Sequence, residues 1–223
     1  GERVVRAAET ETRREIQRAR EGGVVPWQSA GALLSLLGAV VCAWNGGRVR
    51  IVDFGGGTGV DFVHLINVLP PGAEVQYHIV ELAAECAAGR RLFPDDRRLC
   101  FHEDIPRDLP AVDIVCSNSA LQYVDDYVGT LHKLCALRAR YLVLLRLSAG
   151  NIPTFVSAQR NLPGVVVPHW FFNLDEIVAL ASAQKYRVVF DGANDRCFNQ
   201  QHFPERYRLN RFRNVVFARS DDA

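Results

Sequence analysis

The stretch Val49-Arg-Ile-Val-Asp-Phe-Gly-Gly-Gly-Thr-Gly59 decides the fold that the sequence predicts. Its first half carries β-branched apolar residues and ends on an acid, Asp53, which is typical of a buried strand. Glycines follow at positions 55, 56, 57 and 59, and residues 60–69 then place apolar side chains at helical spacing. Because glycine permits a sharp turn and the close approach of a ligand, this strand–turn–helix unit predicts a ligand-binding turn.

Outward from this unit, predicted strands alternate with predicted helices. The other strands are expected at 74–81, 98–104, 112–118, 141–147, 186–191 and 212–219, and helices near 82–89, 123–139 and 174–184. This alternation, with two strands near the C-terminus, predicts an α/β fold. We expect a doubly wound, mainly parallel seven-stranded sheet with an antiparallel C-terminal edge strand.

Two helices are predicted before the sheet, one over residues 2–21 and one that begins near Pro26. The second helix carries an apolar stripe formed by Leu33, Leu36, Leu37, Val40, Val41 and Trp44. We therefore expect an N-terminal helical cap over residues 1–47 and a sheet domain over 48–223. Two stretches rich in glycine, proline and aromatic residues, about 148–173 and 192–209, are predicted as inserted loops, which are usually functional at this length.

Composition narrows the classes of function. Apolar residues make up 48% and charged residues 23% of the chain, as in ordinary globular proteins. The net charge of +1 argues against nucleic acid and an anionic membrane as partners. The six cysteines are scattered, and neither they nor the histidines have metal-ligand spacing, so we expect a cytoplasmic protein with no metal. The charged N-terminus lacks the apolar run of a secretory leader.

Polar residues close several predicted strands of the sheet. They are Asp53 with the glycines, Glu81, Asp104, and the pair Ser117 and Asn118. The carboxyl ends of parallel strands share one crevice. Glu81 suits ribose hydroxyls and Asp104 suits an adenine amino group, although a solvated strand end and a loop cap before Pro106 are the respective structural alternatives.

The glycine spacing favours a particular kind of ligand. It is not the GxGxxG of dinucleotide-binding folds, and no Gly-Lys-Ser/Thr follows it, so a phosphate-binding loop is excluded. Asp53 lies just before the glycines, where a carboxylate suits an ammonium group and repels pyrophosphate. A nucleoside with a cationic tail is therefore expected rather than a dinucleotide.

Residues 53–59, 79–81, 104 and 113–123 resemble the motifs of the class I S-adenosylmethionine-dependent methyltransferases, and the resemblance covers roughly residues 48–147. Residues 141–146 and 167–170, with the helix at 174, resemble a group of proteins described only as methyltransferases. The resemblance implies a Rossmann-like fold and S-adenosylmethionine as cofactor. We expect O-, N- or C-methylation of a small molecule, and the irregular aromatic stretch is compatible with a sugar, polyketide or peptide metabolite. Ser117-Asn-Ser-Ala120 replaces the N/D-P-P-Y/F motif of amino-group methyltransferases, which disfavours adenine or glutamine amides as acceptors.

The resemblance also implies a role for each matched position. The glycine turn would wrap the methionine part of the cofactor, and residues at the end of the second strand would hold the ribose. Residues after the third strand would bind the adenine, and residues at the end of the fourth strand would lie beside the methionine tail and the sulfonium. The residues implied, in that order, are Asp53, Phe54, Gly55, Gly56, Gly57 and Gly59; Glu81 and Leu82; Asp104 and Ile105; Ser117 and Asn118.

On the acceptor side, His169 is the candidate general base, because it lies in the predicted loop where a substrate wall would form. His202 is a weaker candidate. Arg146 suits an anionic substrate group or a structural ion pair, and a structural role for His169 is equally open. The predicted substrate-binding residues are Gln122, Tyr123, Arg146, His169 and Trp170.

Two other functions stay open at this stage. One is an NAD(P)-dependent oxidoreductase on a similar fold, which the glycine spacing disfavours. The other is a non-catalytic module that binds S-adenosylmethionine without transferring its methyl group. The N-terminal helices are expected either to cap the cleft or to form a homodimer contact.

Overall fold

The computed structural model describes residues 2–26, 31–162, 165–195 and 199–220. The helices are α1 (Glu2–Arg20), α2 (Ala32–Trp44), α3 (Val60–Val68), α4 (Ala83–Leu92), α5 (Tyr127–Ala136) and α6 (Leu174–Ala183). The first five strands are β1 (Arg48–Phe54), β2 (Glu74–Val80), β3 (Leu99–His102), β4 (Ile114–Asn118) and β5 (Tyr141–Leu147). The others are β6 (Ala149–Gly150), β7 (Phe155–Leu162), β8 (Val165–Asn173), β9 (Tyr186–Asn194) and β10 (Phe212–Arg219).

The main sheet has seven strands in the order β3-β2-β1-β4-β5-β10-β9. Strand β2 pairs in parallel with β1 and β3, whereas β10 pairs antiparallel with both β5 and β9. The predicted doubly wound, mainly parallel sheet with an antiparallel C-terminal strand is therefore confirmed. Strand β10 lies one place in from the edge, which β9 occupies.

The prediction of a loop at 148–173 was wrong, because strands in this stretch form a second sheet in the order β6-β8-β7. Strands β7 and β8 pair antiparallel, and Phe155 stacks on Phe171 across them with ring centroids 4.9 Å apart. Of the second predicted loop, 192–209, the first part continues β9 to Asn194 and residues 205–207 form a single 3₁₀ turn. Residues 196–198 lie outside the described part of the chain.

The chain forms two compact units, Gly1–Cys116 and Ser117–Ala223. In the first unit, α1 packs on α3 and α4, and α2 packs on α3 and β1. In the second unit, α6 packs on α5, β8 and β9. The expected division at residue 47 into a cap and a sheet domain stays a prediction.

Helix α2 differs from its prediction in the residue at which it begins and in the residues that it buries. It begins at Ala32 and not near Pro26, and residues 27–30 lie outside the described chain. Leu34, Val41 and Cys42 are buried, whereas three members of the predicted stripe are exposed, namely Leu36, Val40 and Trp44. Gly38 is buried, and a Cβ there would come within 2.6 Å of Leu65, so α2 packs tightly on α3 at this position.

None of the helices in the described part of the chain combines the length and apolar character needed to cross a membrane. The same residues contain no group of three or more His, Cys, Asp or Glu side chains placed to hold a metal ion.

Candidate functional site

The glycine turn joins β1 to α3 in the first unit. Gly55, Gly57 and Gly59 have φ values of +76°, +57° and +104°, which side chains with a Cβ rarely adopt. A Cβ built on Gly57 would meet no atom of the described residues within 4 Å, so open space lies beside it. A Cβ on Gly56 would come within 2.5 Å of Asp53 Oδ2. The turn therefore passes closely over Asp53 and leaves space for a ligand at Gly57.

Asp53, at the end of β1, is fully buried. Its Oδ2 accepts a hydrogen bond of 2.7 Å from the Tyr77 hydroxyl, while its Oδ1 is buried without a partner among the described residues. Burial raises the pKa of this carboxyl well above its usual value, and the charges of Asp61 and Glu81 raise it further, against the opposing hydrogen bond from Tyr77. A buried carboxylate with an unpaired oxygen is suited to a cationic ligand group.

Glu81 follows β2 and is half-buried. Its carboxylate accepts a hydrogen bond of 2.8 Å from the backbone N–H of Leu82, and the backbone N–H of Gly57 faces it closely enough to affect its pKa. Burial raises the pKa of Glu81, and these two backbone N–H groups oppose the rise. The second predicted acid thus contacts the same glycine turn that passes over Asp53, as the sequence led us to expect of neighbouring strand ends.

The predicted adenine contacts are less enclosed. Asp104 is exposed and lies two residues beyond the end of β3, and Ile105 is half-buried. Residues 103–113, all within the described chain, form no helix. The assignment of Asp104 and Ile105 to adenine stays a prediction.

Helix α1 contacts the glycine turn through polar side chains that the sequence did not single out. Thr12 and Thr58 are buried, and their hydroxyl oxygens lie 2.7 Å apart, at hydrogen-bond distance. One turn further along α1, Glu15 lies 3.2 Å from Nε2 of His64 on α3. The contact with the turn is therefore a hydrogen bond in a buried setting, where loss of one partner is costly.

In the second unit, Ser117 and Asn118 close β4 and are buried. The Ser117 hydroxyl is without a hydrogen bond to any described residue, and Oδ1 of Asn118 accepts a hydrogen bond of 2.9 Å from Nε of Arg146. Their roles as cofactor contacts stay predictions.

Arg146 owes its orientation to a β-bulge. Leu147 pairs with Arg213 and Leu144 with Val215, so β5 has one residue more than β10 between these pairs. Arg146 takes up the extra length with a φ of +49°, and its backbone N–H donates to Asn214 Oδ1 at 2.9 Å. Residues in this backbone region cluster at functional sites.

The bulge brings three of the predicted residues together. The buried Gln122 donates from Nε2 to the backbone oxygen of Arg146 at 3.1 Å and to Ser119 Oγ at 3.0 Å. Ser119 also has a positive φ, of 61°. We call Asn118, Ser119, Gln122 and Arg146 the bulge cluster.

His169 lies in β8, with 1% of its surface exposed. Ser148 Oγ donates its only proton to the backbone oxygen of Trp170 at 2.6 Å, so it accepts the 3.1 Å hydrogen bond from His169 Nε2. The neutral imidazole therefore carries its proton on Nε2 and its lone pair on Nδ1. The ring of Tyr123 packs edge-on against it, with centroids 4.9 Å apart.

Trp170 is the next residue on β8, and successive strand residues face opposite sides of the sheet. Its ring packs against Tyr127 of α5 at 5.1 Å, whereas His169 contacts Tyr123 and Phe171. The structure therefore brings His169 and Tyr123 together and places Trp170 on the other face. His202 is exposed and packs against Phe203, with ring centroids 4.6 Å apart.

Sequence reasoning missed Tyr77, which hydrogen-bonds to Asp53 in the first unit, and Ser148, which hydrogen-bonds to His169 in the second. A signal existed for Tyr77, because a tyrosine in an apolar strand needs a hydrogen-bond partner for its hydroxyl. For Ser148 there was none, because its two partners lie on a strand that the sequence did not predict.

No protein-family model matches the sequence, and no curated protein does. Among solved structures, the chain resembles the 1,6-didemethyltoxoflavin-N1-methyltransferase of Burkholderia thailandensis, with bound 1,6-didemethyltoxoflavin and S-adenosylhomocysteine (17% identity, 87% of this chain and 80% of that one, TM-score 0.58).

It also resembles the S-adenosylmethionine-bound amino pentose methyltransferase of Micromonospora echinaspora (16% identity, 92% and 96% of the two chains, TM-score 0.56). A third similar structure is the CcbJ methyltransferase of Streptomyces caelestis (12% identity, 89% and 92%, TM-score 0.56). At these identities the likeness shows the fold, which is the Rossmann-like fold of the class I S-adenosylmethionine-dependent methyltransferases, as the sequence motifs led us to expect.

Proposed function

We propose that this protein is an S-adenosylmethionine-dependent methyltransferase that acts on a small molecule. The observation that carries the proposal is the buried Oδ1 of Asp53, which has no hydrogen-bond partner among the described residues and lies beneath a glycine turn with open space at Gly57. An ammonium group placed there would supply the missing hydrogen bond and compensate the buried negative charge.

The first unit offers complementary groups for the rest of the cofactor. Glu81 presents a carboxylate beside the turn, where it would accept hydrogen bonds from the two ribose hydroxyls. Asp104 and Ile105 are proposed as adenine contacts. Bound S-adenosylmethionine supplies a methyl group on a positively charged sulfur, which a nucleophilic atom of the acceptor can take.

The same residues disfavour an oxidoreductase that binds a dinucleotide. The charge of Glu81 raises the pKa of Asp53, as expected of a neighbouring carboxylate. A pyrophosphate at this turn would add further negative charge to a site that already holds two acids. The ligand that these charges favour is a nucleoside with a cationic tail.

His169 is proposed as the general base for the acceptor. Ser148 holds its proton on Nε2, so Nδ1 is the nitrogen that can take a proton from an acceptor hydroxyl. A small-molecule acceptor is supported by two of the structurally similar proteins, one with 1,6-didemethyltoxoflavin bound and one an amino pentose methyltransferase.

Isothermal titration calorimetry with S-adenosylhomocysteine and, separately, with NADH tests the cofactor assignment. The proposal expects binding of S-adenosylhomocysteine at one site and none of NADH. Binding of NADH alone would overturn it in favour of an oxidoreductase.

Transfer is tested with methyl-labelled S-adenosylmethionine and a metabolite extract freed of macromolecules. We expect label in a small molecule with the wild-type protein and strongly reduced labelling with His169→Gln. Cofactor binding without any labelled product would replace the proposal by that of a non-catalytic binding module.

A further inference from the structure

A cavity of about 490 Å³ lies within the second unit, between the β7–β8 hairpin and residues 199–203. Its volume falls in the range of small-molecule pockets. His169 lines it, whereas the members of the bulge cluster are not among its described lining residues. The cavity is therefore a distinct place in the fold that shares the candidate base.

The segment over the cavity is held in place by side chains. The buried Gln200 donates from Nε2 to the backbone oxygen of Leu209 at 3.0 Å and accepts from the backbone N–H of Leu209 at 2.7 Å. Arg208 adds hydrogen bonds from its guanidinium to the backbone oxygens of Phe203 at 2.6 Å and Gln201 at 2.8 Å. A wall fixed in this way is preorganised for a ligand, which loses less entropy on binding.

Aromatic rings form the apolar part of the lining. Phe171 and Phe203 contact each other edge-to-face, with centroids 5.5 Å apart, and both line the cavity. Phe155 supports them from behind, since it stacks on Phe171 with an interplanar angle of 5° and meets Phe203 edge-on. Rings with faces and edges held at these angles suit a planar aromatic ligand.

The polar residues of the lining are suited to a ligand that carries a hydrogen-bond donor and a negative charge. Gln159 Oε1 is buried and makes no hydrogen bond with any described residue, so a ligand hydroxyl would satisfy it. His169 lies on the same face of the hairpin as Gln159 and also lines the cavity. Arg160 and His202 also line the cavity, and none of its described lining residues is an acid.

We infer that this cavity binds the methyl acceptor and that the acceptor is a hydroxylated aromatic acid. The ring packs against Phe171 and Phe203, and the carboxylate pairs with Arg160. The hydroxyl donates to Gln159 Oε1 before transfer and gives its proton to the candidate base, His169, when its oxygen is methylated. This inference rests on the proposed function, because it takes the ligand of the cavity to be the molecule that is methylated.

Three probes of the same size and different charge test the inference: 4-hydroxybenzoate, 4-hydroxybenzamide and tyramine. Their binding to the full chain, saturated with S-adenosylhomocysteine, is followed by protein-detected NMR titration. We expect 4-hydroxybenzoate to bind at least about tenfold more tightly than tyramine, with the amide between them, because a charge-assisted hydrogen bond to Arg160 distinguishes them. Equal affinities, or no binding of 4-hydroxybenzoate, would overturn the inference.

Variants locate the site. Arg160→Gln and Phe203→Leu should each weaken 4-hydroxybenzoate binding by about fivefold or more, with thermal unfolding measured to confirm folding. Arg187→Gln, which removes an exposed arginine on β9 in the same unit, is the matched control and should leave the affinity unchanged. An equal loss in the control would show a general charge effect and overturn the assignment to the cavity.

Calorimetry with S-adenosylhomocysteine in the absence of probes separates this inference from the proposed function. Cofactor binding without 4-hydroxybenzoate binding overturns the acceptor site and leaves the proposed function standing. Absence of cofactor binding overturns the proposed function, and with it the identification of the cavity ligand as a methyl acceptor.

Discussion

The Tyr77 hydroxyl donates a hydrogen bond of 2.7 Å to Oδ2 of Asp53, and both side chains are fully buried. Two neighbouring parallel strands thus hold the carboxylate beneath the glycine turn in one orientation, since Asp53 lies on β1 and Tyr77 on β2. The hydrogen bond also opposes the burial that favours the protonated acid. Tyr77 is therefore expected to act on cofactor binding through Asp53.

Tyr77→Phe should weaken S-adenosylhomocysteine binding about tenfold, because loss of the donor raises the pKa of Asp53 further and frees its orientation. Calorimetry measures the affinity. Tyr186→Phe is the matched control, since Tyr186 is also buried and its hydroxyl donates to the backbone oxygen of Ala139 in the second unit. If both variants bind the cofactor like the wild type, Tyr77 has no part in the site.

Cofactor binding should release protons. The pKa of Asp53 is raised in the free protein, so below that pKa the acid is largely protonated, and an ammonium ligand favours its charged form. Affinity should therefore fall as the pH decreases through the raised pKa. Calorimetry in phosphate and in Tris, which differ in ionisation enthalpy, measures the release, and Asp53→Asn should abolish it. Proton uptake on binding would contradict the proposed pairing.

Helix α1 should depend on the hydrogen bond between Thr12 and Thr58. Thr12→Val keeps the shape but leaves a buried hydroxyl unpaired, at a cost of about 1–2 kcal/mol. We expect faster hydrogen exchange of α1 backbone amides and unchanged exchange in β1. Thr10→Val is the control, because the Thr10 hydroxyl is exposed and, within the described chain, donates to the backbone oxygen of Arg6 in the same helix. Equal exchange in the two variants would show that this hydrogen bond does not anchor α1.

The paired histidines of β2 and β3 should make stability dependent on pH. His78 Nδ1 lies 3.0 Å from His102 Nε2, and burial lowers the pKa of His78 to about 4, with His102 and Arg50 adding to the effect. The folded protein therefore favours the neutral form of His78, which contributes stability at pH values above the unfolded pKa of 6.5. This contribution is lost as the pH falls from 6.5 towards 4.

The free energy of unfolding of the wild-type protein should decrease between about pH 7 and about pH 5. In His78→Gln this decrease should be smaller, by up to about 2 kcal/mol. Urea unfolding at the two pH values measures it. His132→Gln on α5 is the control, because that side chain is exposed. A wild-type pH dependence in His78→Gln would contradict the assignment.

The sequence was sufficient for the main sheet because strand and helix patterns alternate along it, and because β5 is an almost continuous apolar run, as expected of a strand covered on both faces. The glycine turn and its two acids could also be predicted, since strand ends converge by topology. The second sheet could not, because proline and glycine interrupt residues 148–173 and β7 and β8 are stabilised by pairing with each other.

The orientation of site residues was harder to predict than their identity. Arg146 faces Asn118 because of a bulge whose register depends on β10, more than 60 residues along the chain. His169 and Trp170 were expected to share a substrate wall, but strand alternation separates them. Such relationships arise from long-range pairing, which a local pattern does not contain.

The account depends most on the open space beside Gly57, and Gly57→Ala tests it most directly. Gly72→Ala is the matched control, because both glycines have positive φ values, +57° and +86°, and a Cβ on either would meet nothing within 4 Å. The two variants should therefore lose similar stability, about 1 kcal/mol. Calorimetry with S-adenosylhomocysteine should show wild-type affinity for Gly72→Ala and a loss of about 100-fold or more for Gly57→Ala, as expected where a methyl group enters ligand space. Equal affinity of the two variants would contradict the assignment of the glycine turn as the cofactor site.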